Sequence, residues 1–332
     1  MRSKPFWIGI AMLCCAAALV AGKKKNADDV TQTLALPKDP PAVASGETRR
    51  LIFSVSSLSG KGLLTQQTRD ALKAVMKDTG GAPMIHIRAF VAGGGDIRRV
   101  PQIVSEVLTD KKQPLPSVSV LRAGALSVDN AQVVLEVVSA GRKETNPGDL
   151  RFVAGEESIA ANPAGSAKPL LSKALDSLAE KLGASPALAV TCYVSQMAGD
   201  LSAAISQRFP GAAIDLVQPQ RLPWQAAAQC EAVARGAAKP SAKLAFTGTR
   251  VAFGTQEKDA ALAFQYLDKD LSEAGADDSG LLLTNVYSLS ESAAKRVRSI
   301  RGSRAPMQIL ILEGLGALDG SFAADAVAAV NH

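Results

Sequence analysis

LIFSVSSLSGKGLLTQQTRDALKAVMKDTGGAPMIHIRAFV, residues 51–91, decides the fold. Its opening run, LIFSVSSL (51–58), reads as a strand. From Thr65 onward Thr68, Leu72, Val75, Met76 and Thr79 fall on one face at helical spacing, and Gly80-Gly81 ends the helix they define. MIHIRAFV (84–91) follows directly and is apolar enough to be a buried strand. Beyond it Asp96 caps a second helix carrying Ile97, Val100, Val104 and Val107. SVSVL (117–121) and AQVVLEVVSA (131–140) add two more strands.

The same order recurs twice, and the recurrence sets the architecture. LRFVAG (150–155) precedes a helix bearing Leu171, Leu175, Leu178 and Leu182, then Gly183. ALAVTCYV (187–194), a short helix from Asp200 to Phe209, AAIDLV (212–217) and AAAQCEAVA (226–234) complete the second unit. The third has LAFTGTRVAFG (244–254), a helix with Phe264, Leu267, Leu271 and Ala274, then Gly275. LLLTNVYSL (281–289), a helix around Val297 and Ile300, MQILIL (307–312) and FAADAVAAV (322–330) follow. The stop glycines stand 103 and 92 residues apart.

Such a unit makes an α+β fold, a mixed sheet with both helices on one face. Leaving the other face open would waste apolar burial worth about 25 cal/mol per Å2. Three units in one chain can cover those faces by packing around a pseudo-threefold axis, which predicts a monomer built like a trimer. The expected domains are 51–142, 148–238 and 242–331, preceded by a leader (1–22) and a tether (23–50) rich in charge and proline.

Of the 332 residues 47% are hydrophobic and 20% charged, which excludes a disordered chain. Aromatics make up 4%, too few for a platform that stacks nucleic-acid bases. The two histidines, His86 and His332, exclude a Ser-His-Asp triad and a multi-histidine metal site. His86 itself reads as a core or interface residue. The N-terminus has Arg2 and Lys4 before an apolar stretch from Phe6 to Ala21, a signal peptide by pattern. Lys23, Lys24 and Lys25 behind it keep an uncleaved anchor open. Loss of the leader removes Arg2 and Lys4, so the net charge falls from +6 to +4. The expected location is exported, periplasmic or secreted. Cys192 and Cys230 then form either a disulfide or two buried thiols, and the second is the default for cysteines in apolar strands.

The stretch LSEAGADDSGLLLTNVYSLSES (271–292) resembles the helix-glycine-strand segment of the Rid (YjgF) family of imine deaminases. CEAVA (230–234), LEVVSA (135–140) and DAVAAV (325–330) resemble that family's last strand. Thr247-Gly248 and Ala154-Gly155 are similar to its early Ser-Gly turn. The resemblance implies three chorismate-mutase-like domains fused into an intramolecular pseudo-trimer, with ligand clefts between them. It also implies hydrolysis of 2-imino or enamino acids to 2-keto acids without metal or cofactor, by an arginine clamping the substrate carboxylate and a carboxylate positioning water.

The carboxylate positions hold Glu136, Glu231 and Asp325, against the plainer reading of acids on a solvated face or in an interdomain salt bridge. The clamp positions hold no arginine: they read Pro114-Leu115-Pro116-Ser117, Pro210-Gly211-Ala212-Ala213 and Arg304-Ala305-Pro306-Met307. A hydrogen bond to a charged group contributes about 1.5–3 kcal/mol, so substrate capture should fall tenfold to a hundredfold or more. Arg304, Arg221 and Arg122 are the substitute ligand-binding candidates, with Arg88 and Arg250 as further cations. A solvated surface arginine is the ordinary reading of Arg122 and Arg221. The run Lys295, Arg296, Arg298, Arg301 and Arg304 reads as a solvated helix face, and Gly93-Gly94-Gly95 lacks the lysine-serine ending of a phosphate loop. The expectation is a scaffold that binds a small carboxylate-bearing metabolite or a partner, or else a deaminase of altered specificity using one interdomain cleft. RNA cleavage is the weakest reading. No nucleic-acid partner is expected, and membrane contact only through the N-terminal segment.

Overall fold

The structure, a computed structural model, describes residues 37–161, 166–198, 200–221, 226–240, 242–254, 256–301 and 306–330. The leader, the tether up to residue 36, Arg304 and His332 lie outside the described residues. Residues 37–332 form one compact unit, a mixed α+β structure with three sheets and six described helices. The first stretch of elements is β1 (Val43–Gly46), β2 (Leu51–Val55), α1 (Leu64–Asp78), β3 (Met84–Val91), α2 (Arg99–Asp110), β4 (Ser117–Arg122), β5 (Ala125–Leu126) and β6 (Val133–Ala140). The second is β7 (Leu150–Ala154), β8 (Ser158–Ile159), α3 (Ala167–Leu182), β9 (Ala187–Val194), α4 (Leu201–Arg208), β10 (Ala213–Gln218) and β11 (Ala227–Arg235). The third is β12 (Leu244–Thr247), β13 (Arg250–Phe253), α5 (Glu257–Glu273), β14 (Ala276–Ser288), α6 (Glu291–Arg301), β15 (Met307–Ile311), β16 (Gly314–Leu315) and β17 (Gly320–Val330).

Each sheet has one plan. A central strand (β3, β9 or β14) runs parallel to the strand after the second helix and antiparallel to the last strand. Gly80, Gly183 and Gly275, at φ of 61°, 58° and 80°, turn the chain from the first helix toward that central strand. Every sheet also takes an edge strand from elsewhere in the chain. β16 adds to β4, β5 adds to β10, and β1 adds to β12.

β1 corrects the expectation of a free tether to residue 50. Val43–Gly46 pairs with Leu244–Thr247, and Ser105 Oγ donates to the carbonyl of Lys38. The run 244–254 is also two strands rather than one. It breaks at Gly248, where a Cβ would stand 2.8 Å from the carbonyl oxygen of Val118, so only glycine lets the two backbones approach.

The burial of β6 explains its continuous apolar sequence. Val133, Leu135 and Val137 pack with Leu72, Ile103 and Leu108 of the helices, while Val134 and Val138 point the other way into clusters shared with the other sheets. Strands covered on both faces read as unbroken apolar runs. Three clusters therefore lie between a sheet and its own helices. Two more are made jointly, one around Phe90, Tyr193 and Tyr287 and one around Val138, Phe246 and Val327. Arg301 departs from the solvated face expected of α6. It turns inward, donates to both oxygens of Asp268 at 2.8 and 2.7 Å, and stacks over Phe264. Among the described residues no helix is long and apolar enough to cross a membrane.

Candidate functional site

The site follows from strand register. Aligned on their last residues, the central strands end in MIHIRAFV (84–91), ALAVTCYV (187–194) and LLLTNVYS (281–288), eight places each. The fifth places hold Arg88, Thr191 and Asn285, which lie opposite Glu136, Glu231 and Asp325. On the parallel neighbour the partners are Ser119, Asp215 and Gln308. Two residues further along, on the same face, stand Phe90, Tyr193 and Tyr287. On the other side come Val138, Val233 and Val327, opposite Phe53, Phe152 and Phe246 of the opening strands. The three sheets thus bring together a polar layer between two apolar ones.

Arg88 sits in the middle of the polar layer. Its guanidinium donates to Glu136 and to Glu231, and its third nitrogen to the Tyr287 hydroxyl at 3.3 Å. Thr191 donates to the other oxygen of Glu136, and Tyr193 to Glu231 at 2.8 Å. Asp325 accepts from Ser119 (2.6 Å), Asn285 (2.9 Å) and Tyr287 (3.0 Å). Burial pushes the Asp215 carboxyl well above its ordinary value and the neighbouring Glu136 adds to the push. Burial raises Glu231 too, against the pull of Arg88. Burial opposes the Arg88 charge, yet Glu136 and Glu231 hold its pKa above the ordinary arginine value. Glu231 Oε2, Asn285 Oδ1 and both amide atoms of Gln308 have no hydrogen-bond partner among the described residues.

A cavity of about 100 Å3 opens onto this layer, walled by Phe53, Phe152, Phe246, Val138, Val233 and Val327 and floored by Arg88, Glu136, Glu231, Asn285 and Asp325. His86 also lines it, stacked on Phe246 with ring centroids 5.9 Å apart, its Nδ1 2.9 Å from Ser117 Oγ. Burial lowers the His86 pKa to about 4, with Arg88 adding to the drop and Asp325 and Glu136 opposing it. Between about pH 6.5 and 4 the unfolded chain takes up a proton that the folded protein refuses. Stability contributed at neutral pH is therefore lost on acidification, up to about 3 kcal/mol. The raised carboxyls of Asp215 and Glu231 act in the opposite sense. Replacing His86→Gln should flatten the His86 part of the profile, read from urea midpoints of both proteins between pH 4 and 7. Parallel profiles would show that His86 titrates normally.

Glu136, Glu231 and Asp325 are thus gathered into one layer rather than set in three separate clefts. Two of them are engaged by Arg88, and the third by neutral donors. Of the arginines offered first as ligand-binding candidates, Arg122 and Arg221 lie elsewhere, and Arg304 lies outside the described residues. Arg122 donates to the carbonyls of Gly93 and Gly95. Arg221 pairs with Glu313 at 3.2 Å, its side chain 58% exposed. Ser117, at the first clamp position, donates to the carbonyl of Phe246 at 2.8 Å.

Cys192 and Cys230 are joined by a disulfide, which replaces the reading as two buried thiols. They are direct cross-strand partners with Cα atoms 4.1 Å apart. Arg88, which the sequence offered only among the further cations, is the arginine that the fold brings to the acids. The signal was a polar residue at the fifth place of each of the three central stretches. Among the described residues no three His, Cys, Asp or Glu side chains converge to hold a metal ion.

No protein-family model and no curated protein matches the sequence. Similar solved structures include a member of the YjgF protein family from Neisseria meningitidis, at 15% identity over 27% of this chain and 81% of that one, with a TM-score of 0.25. A cyanuric acid hydrolase from A. caulinodans is similar at 12% identity over 85% of this chain and 100% of that one, with a TM-score of 0.23. A chorismatase is similar at 11% identity over 87% and 99%, with a TM-score of 0.24. Likeness at these scores fixes neither a family nor an activity.

Proposed function

We propose that this chain is an exported, three-lobed relative of the YjgF/Rid proteins that binds a small molecule in its central cavity and does not hydrolyse imines. The lobes stand around a shared centre as the subunits of a trimer would, and a single chain is the working unit. The equivalent registers of the three sheets and the two jointly made apolar clusters support this arrangement. A disulfide suits an oxidising compartment, which supports export.

One observation carries the loss of activity: the guanidinium nearest the acids is already committed to Glu136 and Glu231. A substrate carboxylate would have to displace two carboxylates to be clamped there, and such charge-assisted bonds are the strong ones. The reading as a deaminase of altered specificity has one observation in its favour, an arginine within reach of acids in a cavity. Freshly generated 2-iminobutyrate separates the two readings. No keto-acid release above the buffer rate is expected, and rapid release would overturn the binding-scaffold reading. Light scattering should give one chain per particle, and a stable trimer of chains would sink the fused-lobe arrangement.

A further inference from the structure

The layer beneath the cavity holds more acid than base. Glu136, Glu231 and Asp325 share that layer with Arg88, its one arginine or lysine among the described residues, which reaches the first two directly and Asp325 only through the Tyr287 hydroxyl. A buried charge without a counterpart is costly, so the layer as it stands favours an added positive charge.

Two atoms say where that charge would go. Glu231 Oε2 and Asn285 Oδ1 both belong to residues that line the cavity and are 6% exposed, and neither has a hydrogen-bond partner among the described residues. Both are acceptors. A ligand carboxylate would meet two acceptors and a surplus of negative charge, and the Arg88 nitrogens that could answer it are occupied. A ligand that donates N–H bonds and carries positive charge meets what is missing on both counts.

The walls select the rest of the ligand. Phe53, Phe152 and Phe246 with the valines beside them make an apolar sleeve above the acceptors, and aromatic faces also attract cations. A cavity of roughly 150 Å3 admits benzene, so about 100 Å3 suits a few non-hydrogen atoms.

We infer that the central cavity binds a small primary ammonium ion, its N–H groups donating to Glu231 Oε2 and Asn285 Oδ1 and its short alkyl chain held among Phe53, Phe152 and Phe246. This rests on the reading of the cavity as a small-molecule site and names the ligand class that reading leaves open. It replaces the carboxylate-bearing ligand expected from the sequence by one of opposite charge.

The test is calorimetric titration of the intact protein at neutral pH with n-butylammonium chloride, with sodium butyrate as the probe of reversed charge and sodium or potassium chloride at matched ionic strength. Butylammonium should bind saturably and raise the unfolding temperature. Butyrate and the salts should do neither. Glu231→Gln should weaken butylammonium roughly tenfold or more, the loss of one charged acceptor. Should that variant fail to fold, Phe53→Trp, a change at a half-buried wall position that fills the sleeve, should block binding while leaving every carboxyl in place. Binding of butyrate alone overturns the inference but leaves the small-molecule reading standing. Binding of neither probe overturns both. Equal stabilisation by sodium or potassium chloride would mark a metal-cation site and overturn the ammonium assignment.

Discussion

Replacing Arg88→Met should cost about 3–5 kcal/mol of unfolding free energy, the usual penalty for removing one partner of a buried ion pair. Methionine keeps the length of the stem but leaves Glu136 and Glu231 facing each other without their shared guanidinium. At roughly 2–4 °C per kcal/mol for a domain of a few hundred residues, the melting temperature should fall by about 10 °C. Combining Arg88→Met with Glu136→Gln and Glu231→Gln should return much of the loss, because the penalty lies in the stranded carboxylates. Urea denaturation of the three proteins decides this. A single variant within about 1 kcal/mol of the parent would mean that water screens the cluster as it screens a surface pair, and the argument from buried charge would fail.

The second large effect concerns the disulfide. Cys192 and Cys230 are 38 residues apart and fix β9 directly against β11. Closing a loop of that length restricts the unfolded chain by about 4 kcal/mol in the chain-entropy picture, with 2–4 kcal/mol typical of measured bridges. The Cys192→Ala, Cys230→Ala double variant should lose that amount, seen as a lower denaturant midpoint. Adding a reductant during unfolding should shift the parent protein alike and leave the double variant unmoved. An unchanged parent midpoint under reductant would show that the bridge contributes nothing to the fold.

Some of this was legible before any coordinates. Helical spacing followed by glycine, then an apolar strand, is a strong local signal, and the helices around Leu72, Leu175 and Leu267 lie where it puts them. What the sequence hid is non-local. β5 and β16 have two residues each, too few to carry a period, and Val43–Gly46 is a strand only because the edge at Leu244–Thr247 is there to receive it. The acids at 136, 231 and 325 stand out because a charge in an apolar strand needs a partner. That one arginine serves two of them is a fact about how three sheets face one another, which no spacing within a single sheet records. The cysteines are similar. Two in apolar strands look like core residues until register sets them side by side.

The loaned edges have a consequence of their own. β4, β10 and β12 each lean on a ribbon supplied by a distant part of the polypeptide. Cut into its three thirds, the chain would present raw, unzipped selvedges that invite indiscriminate pairing. What looks modular when read along the backbone is, as a folding object, indivisible.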